Sequence, residues 1–173
     1  MIEFDNITKS MIEGSDEGYV LFLQADESVR DIPEYNFSVL MPNAGNAGVD
    51  LCSVENWTRE DWSKDGVHLL DLGVRAMMVN IKTQEPVHFW LSPRSSIYKT
   101  GYMMANSMGV IDSSYRGILK APIVRTLAEG DGFKRGNRYF QIIAPDMGRI
   151  RAVRACKSLP ETERGEGGFG STG

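Results

Sequence analysis

The apolar residues of this chain are gathered in short runs, and Gly, Pro, Asn or Asp stands between one run and the next. The runs are rich in Val, Ile and aromatic residues, which is typical of closely spaced strands rather than helices. They cover residues 19–23, 67–70, 74–81, 87–91, 117–124, 139–144 and 150–153. No long window keeps apolar residues at helical spacing, so the pattern predicts an all-β fold, either a β-barrel or a jelly-roll-like sandwich.

Two segments depart from the strand pattern. A short helix is predicted after Pro93, where Ser95 or Ser96 can cap a turn that ends at Gly101. The polar stretch at 56–65 is interpreted as a surface insertion between strands. Neither segment divides the chain, and 173 residues are enough for one domain with its own core.

The sequence also bears on where the protein works. The first residues carry acids and no apolar run, which argues against a signal peptide, and no apolar stretch approaches the ~18 residues that cross a bilayer. Cys52 and Cys156 are far apart and lack the spacing of a metal site, although one disulfide between them stays open. We therefore expect an intracellular protein that does not bind a membrane.

Charge is divided unevenly along the chain. Residues 1–71 hold fifteen acids and four bases, whereas residues 72–173 hold eight acids and fifteen bases. A basic second half can be a solvated face or can attract a small polyanion such as a phosphate compound. A long nucleic acid is not expected as a partner, because the pI is near 5.2 and aromatic residues do not alternate with the bases.

The glycine-rich segment RGEGGFGSTG, residues 164–173, contains the spacing G-x-G-x-x-G at Gly165, Gly167 and Gly170. A dinucleotide-binding fingerprint needs a strand before these glycines and a helix after them, and only three residues follow Gly170 here. The segment is either a flexible linker or an arm that closes over a nucleotide. In the second case Arg164 suits a phosphate and Phe169 suits a base.

Four further stretches carry residues suited to nucleotide chemistry. In 106–117, Asn106 can read a base edge, Asp112 can orient water and Tyr115 can pack under a sugar, although Asp and Ser are also ordinary turn formers. The other three stretches lie around Arg94, Arg138 and Asp50 and offer contacts to a phosphate or a cation. The stretch around Arg94 is equally compatible with a plain turn. The candidate residues of these stretches are Arg94, Ser95, Ser96, Arg138, Gln141 and Asp50.

Both histidines lie in strand-like runs. His68 and His88 are flanked by apolar residues, and nothing near them in the sequence resembles a Ser-His-Asp arrangement. We interpret them as ordinary core or surface histidines rather than as ligands.

Five segments taken in this order resemble the trimeric all-β deoxyuridine triphosphatases (dUTPases). They are AGVDL (47–51), PRSS (93–96), NSMGVIDSSYRG (106–117), GNRYFQII (136–143) and RGEGGFGSTG (164–173). The resemblance implies a jelly-roll-like distorted β-barrel that assembles as a homotrimer with shared active sites. It implies one domain over 1–163, in which 1–40 is an N-terminal extension of unclear role, and a mobile arm over 164–173.

The same resemblance implies hydrolysis of dUTP to dUMP and pyrophosphate, with Mg²⁺ on the triphosphate. Asp112 would hold the attacking water, Tyr115 would pack under the deoxyribose, and Asp50 would hold Mg²⁺ through water. Uracil and the phosphates would be bound by Arg94, Ser95, Ser96, Asn106, Gly109, Val110, Ile111, Arg138, Gln141, Arg164, Gly168, Phe169, Gly170, Ser171 and Thr172.

Two departures from the family keep alternatives open. An acid often stands where this chain has Ser114, and glycine often stands where it has Ser96. The double serine Ser95-Ser96 is also similar to the related dCTP deaminases. Those deaminases use a glutamate shortly after the third motif, whereas this chain has Lys120 and no Glu there. Deamination is therefore disfavoured, and the other alternative is a nucleotide-binding regulator without catalysis.

Overall fold

A computed structural model describes residues 1–35, 39–61 and 66–170. The described residues form one α-helix, α1 (Asn6–Ile12), and twelve strands. In chain order, β1 to β12 are Tyr19–Ala25, Val39–Leu40, Gly48–Cys52, Val67–Asp71, Val74–Asn80, Pro86–Val87, Phe89–Pro93, Tyr102–Met104, Gly109–Ile111, Lys120–Arg125, Arg138–Ile143 and Ile150–Ala155. Each predicted apolar run contains or overlaps a strand, so the all-β prediction is confirmed. No helix among the described residues is long and apolar enough to span a membrane.

The strands make three sheets in a jelly-roll-like arrangement. Their orders are β2-β12-β1-β5-β6, β4-β10-β8 and β3-β11-β7-β9. Side chains from all three sheets meet in one core, for example Leu21, Leu70, Phe140 and Ile142, each of which is fully buried. Burial of aliphatic and aromatic side chains at this density is the main stabilising contribution to the fold.

The N-terminal segment forms a second, smaller core on the other side of the first sheet. Helix α1 was not predicted; the Asp5 side chain caps it by accepting the Thr8 backbone N–H at 2.7 Å. Phe4 and Ile12 are buried against apolar side chains of β1, β5 and β12. Asp5 also bonds Arg154 on β12 at 2.7 Å. The first residues of the chain therefore cover the outer face of the five-stranded sheet.

The predicted helix after Pro93 is a 3-10 helix, Ile97–Thr100. Ser96 precedes it without making a side-chain cap, and Gly101 ends it with φ +83°. In the predicted insertion, Trp57 is half-buried against the core and pairs with Phe133, whereas Asn56, Thr58, Glu60 and Asp61 are exposed. Residues 62–65 lie outside the described residues.

Candidate active site

A cavity of about 160 Å³ lies between strand β9, the turn that follows it and the glycine-rich segment. Nine residues that the sequence nominates line it, and they are Asn106, Gly109, Val110, Ile111, Asp112, Tyr115, Arg164, Gly168 and Phe169. The sequence did not nominate Leu91, Leu119 and Lys120, which also contribute to the lining. The third and fifth motifs therefore meet at one place in the same chain.

Asp112 occupies the first position of the turn after β9. Its backbone C=O accepts the Tyr115 N–H at 3.0 Å, which closes the turn. Its side chain is 41% exposed, and one carboxylate oxygen is bound by Nη1 of Arg164. The carboxylate is therefore accessible to water at a cavity wall while a cation from the glycine-rich segment neutralises it.

Tyr115 is a half-buried aromatic wall between the turn and the glycine-rich segment. Its hydroxyl donates to the Ile118 carbonyl at 3.0 Å, and burial raises the pKa of the phenol. A Cβ at Gly117 would lie 2.3 Å from the Tyr115 oxygen, so only glycine fits beside this ring. A Cβ at Gly168 would lie 3.1 Å from the ring, and the Arg164 guanidinium lies 5.7 Å from its centroid.

Arg116 ties the turn to the start of the glycine-rich segment. Its side chain is only 8% exposed, and burial lowers the pKa of the guanidinium. The guanidinium donates to the carbonyls of Ser113, Tyr115 and Pro160 at 2.8 to 2.9 Å, and its backbone N–H donates to Gly165. Carbonyl oxygens satisfy the buried charge, so the turn and residues 160–165 are held as one unit.

Glu166 fastens the glycine-rich segment to the five-stranded sheet. Its Oε1 accepts from Nε and Nη2 of Arg75, on β5, at 3.2 and 2.7 Å. Arg75 also lies 3.9 Å from Asp26, an acid outside the segment. Asp26 therefore gives Arg75 a second carboxylate partner that does not belong to the glycine-rich segment.

Four of the remaining nominated residues form a second group, and they are Asp50, Arg94, Arg138 and Gln141. The Asp50 carboxylate lies 3.0 Å from Nε of Arg94 and 3.4 Å from Nη1 of Arg138, and both Asp50 and Arg138 line a cavity of about 380 Å³. Gln141 lies beside them, since it is opposite both Asp50 and Ser92 in the strand register. The first, second and fourth motifs therefore meet as well, but away from the third and fifth.

Asp50 and β9 lie at opposite edges of one sheet, and Gln141 and Arg94 belong to or follow the strands between them. Asp50 is on β3 and Gly109–Ile111 is β9, and these strands are the two ends of the order β3-β11-β7-β9. Three strand spacings separate them, which is about 14 Å at the usual distance between strands. Ser95 and Ser96 lie in the turn after β7, Gly170 lies in an exposed turn, and Ser171 and Thr172 lie outside the described residues.

The dUTPase family model matches residues 38–173 of this chain. The chain belongs to the dUTPase family. A deoxyuridine 5'-triphosphate nucleotidohydrolase of Wolinella succinogenes is 34% identical over 137 residues, which are 76% of this chain and 83% of that protein. The enzyme of the same name from Clostridium kluyveri is 31% identical over 148 residues, which are 82% of this chain and 96% of that protein.

A crystal structure of a dUTPase from Streptococcus mutans is also similar. It has a TM-score of 0.49 and 24% sequence identity, and the similarity covers 70% of this chain and 91% of that chain.

The family motifs led to nine residues that line the first cavity and to Asp50 and Arg138 at the second, but not to Lys120 or to the residues that hold the turn and the glycine-rich segment. Arg116 and Lys120 stand within or just after the third motif, so their place in the sequence was a usable signal. Arg75 and Glu166 are 91 residues apart, and His88 precedes the second motif. Glu166 stands within the fifth motif, whereas Arg75 and His88 lie outside all five, and only the fold brings Arg75 to Glu166 and His88 to Asp112.

Replacing Arg75 by Gln is expected to loosen the glycine-rich segment without changing its sequence. Loss of one exposed ion pair should raise the amide hydrogen exchange of residues 164–170 by about two- to fivefold in the nucleotide-free protein. The double variant Arg75→Gln/Glu166→Gln should exchange no faster than Arg75→Gln alone. Arg30→Gln is the matched control, because Arg30 pairs with Glu27 on the surface. Equal exchange in the Arg75 and Arg30 variants would contradict the contact.

Proposed function

We propose that this dUTPase-family protein hydrolyses dUTP to dUMP and pyrophosphate. The observation that carries the proposal is the cavity in which Asn106, Asp112 and Tyr115 meet beside the exposed edge of β9. A base reader, a water-holding acid and an aromatic wall for a sugar are the parts that a deoxynucleotide triphosphatase requires.

The edge of β9 supports recognition of uracil. Within the described sheet β9 pairs with β7 alone, so its other side presents backbone N–H and C=O groups. Uracil carries adjacent acceptors and a donor on one edge, which such a backbone edge and the amide of Asn106 complement. A close fit of Gly109, Val110 and Ile111 around the base would exclude the methyl group of thymine. Tyr115 under the deoxyribose would disfavour a 2′-hydroxyl.

Asp112 is assigned the role of holding the attacking water. A carboxylate at the cavity wall can orient a water and accept its proton as it attacks the α-phosphate in line. In the structure Arg164 binds this carboxylate, so we infer that Arg164 leaves Asp112 for the triphosphate when nucleotide binds. Phe169, which is 58% exposed, would then cover the base and exclude water.

The group around Asp50 is assigned to the triphosphate and Mg²⁺. Mg²⁺ keeps several waters and commonly uses one or two carboxylates together with substrate phosphates, so a single Asp at a cavity wall fits this ion. Mg²⁺ on the triphosphate neutralises charge that develops on the phosphate oxygens. Phosphate oxygens would be bound by the side chains of Arg94, Ser95, Ser96, Arg138 and Gln141.

We further propose that the protein is a homotrimer whose active sites are shared between subunits. The support is the separation of the two groups across one sheet, because a neighbouring subunit can bring its Asp50 edge to the β9 edge of the first. Measurement of the mass in solution tests the trimer. A monomer that hydrolyses dUTP would overturn the sharing.

The reaction is tested by incubating the protein with dUTP, dCTP, dTTP or UTP and Mg²⁺, and measuring pyrophosphate and ammonia. Pyrophosphate from dUTP alone is the expected result. Ammonia from dCTP would indicate a deaminase instead. Tight binding of dUTP without product would indicate a nucleotide-binding regulator.

Mixing two inactive variants tests the shared sites directly. Asp112→Asn removes the water-holding acid, and Arg138→Gln removes a phosphate contact from the other group. After the two variants are refolded together, some shared sites combine the native Asp112 of an Arg138→Gln subunit with the native Arg138 of an Asp112→Asn subunit. About a quarter of the native activity per site is then expected from random mixing. Each variant refolded alone is the control, and no gain on mixing would contradict sharing.

A further inference from the structure

His88 lies next to Asp112, the residue whose carboxylate is proposed to hold the attacking water. It stands between β6 and β7, and the register Phe89↔Ile111 of β7 and β9 places it across from Asp112. Its Nδ1 is 3.6 Å from Oδ1 of Asp112 and accepts the backbone N–H of Ser113 at 3.0 Å. The side chain is 66% exposed, so packing alone does not fix its position.

The contact with Ser113 sets a requirement on the imidazole. A ring nitrogen that accepts an N–H carries no proton, so this hydrogen bond requires a ring whose hydrogen is on Nε2. A ring protonated on Nδ1 would lose the Ser113 bond. The charged groups at this nitrogen are the Asp112 carboxylate and, bound to that carboxylate, the guanidinium of Arg164.

The peptide group between Asp112 and Ser113 is held at both ends. Its C=O accepts the Tyr115 N–H at 3.0 Å, and its N–H donates to His88 at 3.0 Å. Fixing this plane fixes ψ of Asp112, and the direction of the Asp112 side chain depends on its backbone. A reaction that depends on the exact placement of its groups is slowed when one of them is displaced by about 1 Å.

We propose that His88 is a positioning residue for the reaction. By accepting the Ser113 N–H it holds the Asp112 carboxylate in the direction in which it meets the attacking water. The inference rests on the proposed function for its kinetic consequence, whereas the hydrogen bond itself can be tested without nucleotide.

Two substitutions distinguish the loss of the hydrogen-bond acceptor from the loss of the imidazole ring. His88→Ala removes the acceptor, and His88→Asn keeps one, since the amide oxygen of Asn can take the place of Nδ1. We expect His88→Ala to lower kcat for dUTP by about five- to tenfold, as for one lost hydrogen bond. KM should change by less than about twofold, because His88 is not among the residues that line the cavity. His88→Asn should retain about half or more of the native kcat.

A double-mutant cycle tests whether His88 acts through Asp112. In an Asp112→Asn background, His88→Ala should have no further effect on the residual rate, since there is no carboxylate left to direct. Independent losses in the two variants would overturn the proposal, and so would an unchanged kcat in His88→Ala or an equal loss in the Ala and Asn variants.

Nitrogen NMR of the nucleotide-free protein gives a readout that does not depend on activity. The chain has two histidines, so the His88 ring is assigned by its loss in His88→Ala. We expect a neutral ring with hydrogen on Nε2, and a Ser113 amide proton that shifts in His88→Ala and returns towards its native position in His88→Asn. If the chemical shift of the Ser113 amide proton is the same in the native protein and in both variants, the hydrogen bond to His88 is overturned. This result does not depend on whether the protein hydrolyses a nucleotide.

Discussion

Replacement of Asp112 by Asn is expected to lower kcat for dUTP by about 10²- to 10⁴-fold, the range for loss of a general base. Asn keeps the size of the side chain but cannot accept a proton from water. The substitution also frees Arg164 from its carboxylate partner, so nucleotide affinity should be unchanged or slightly higher. Steady-state kinetics give kcat, and titration calorimetry with a non-hydrolysable dUTP analogue gives the affinity.

Ser114→Ala is the matched control for this substitution. Ser114 lies in the same turn, and it contacts Thr162 through its backbone carbonyl, which the substitution keeps. Its kcat should remain within about twofold of the native value, as for a surface substitution without a lost partner. Near-native turnover by Asp112→Asn would remove the role assigned to that carboxylate.

Deletion of residues 164–173 is expected to leave a folded protein whose kcat/KM for dUTP is lower by about 10²-fold or more. Residues 164–170, the part of the segment that the structure describes, contribute no side chain to either core, so removal of the segment should not unfold the sheets. It does carry Arg164 and Phe169, the residues assigned to the phosphates and the base. Circular dichroism and the mass in solution report the fold, and steady-state kinetics report the loss.

Single substitutions divide the effect of this deletion between its parts. Arg164→Gln removes a phosphate donor and should mainly raise KM if Arg164 binds substrate and transition state equally. Phe169→Ala removes the cover over the base and leaves the guanidinium in place. Full activity of the shortened chain would show that residues 164–173 are a linker and not a lid.

The strands were predictable because each one that carries the core reads as a short apolar run. Leu21, Met78 and Ile142 all stand in such runs and are fully buried. Helix α1 was not predicted because the apolar residues in and around it are few, and the surface against which they pack is not apparent from the sequence. Phe4 and Ile12 become buried only against a sheet whose strands come from distant parts of the chain, although the cap at Asp5 was visible.

The candidate site was predictable in kind but not in arrangement. The motifs name Asp50 and Asp112 alike, yet they do not reveal that the two acids lie at opposite edges of one sheet. Strand order and register decide such distances, and both arise from pairings between residues far apart in sequence. For the same reason His88 reads as an ordinary strand histidine until Phe89 is seen opposite Ile111.

Strand β1 has a consequence for how the protein is made. It lies in the middle of its sheet and pairs in parallel with β12, so that Tyr19 stands opposite Ile150. During synthesis β1 must wait until residues 150–155 have been made before its second neighbour exists, and pairings over such separations form slowly. Strand β12, the last strand among the described residues, thus completes the sheet, and the glycine-rich segment begins nine residues after it. A chain cut short in translation before β12 would lack both the finished sheet and the segment assigned to close the cavity.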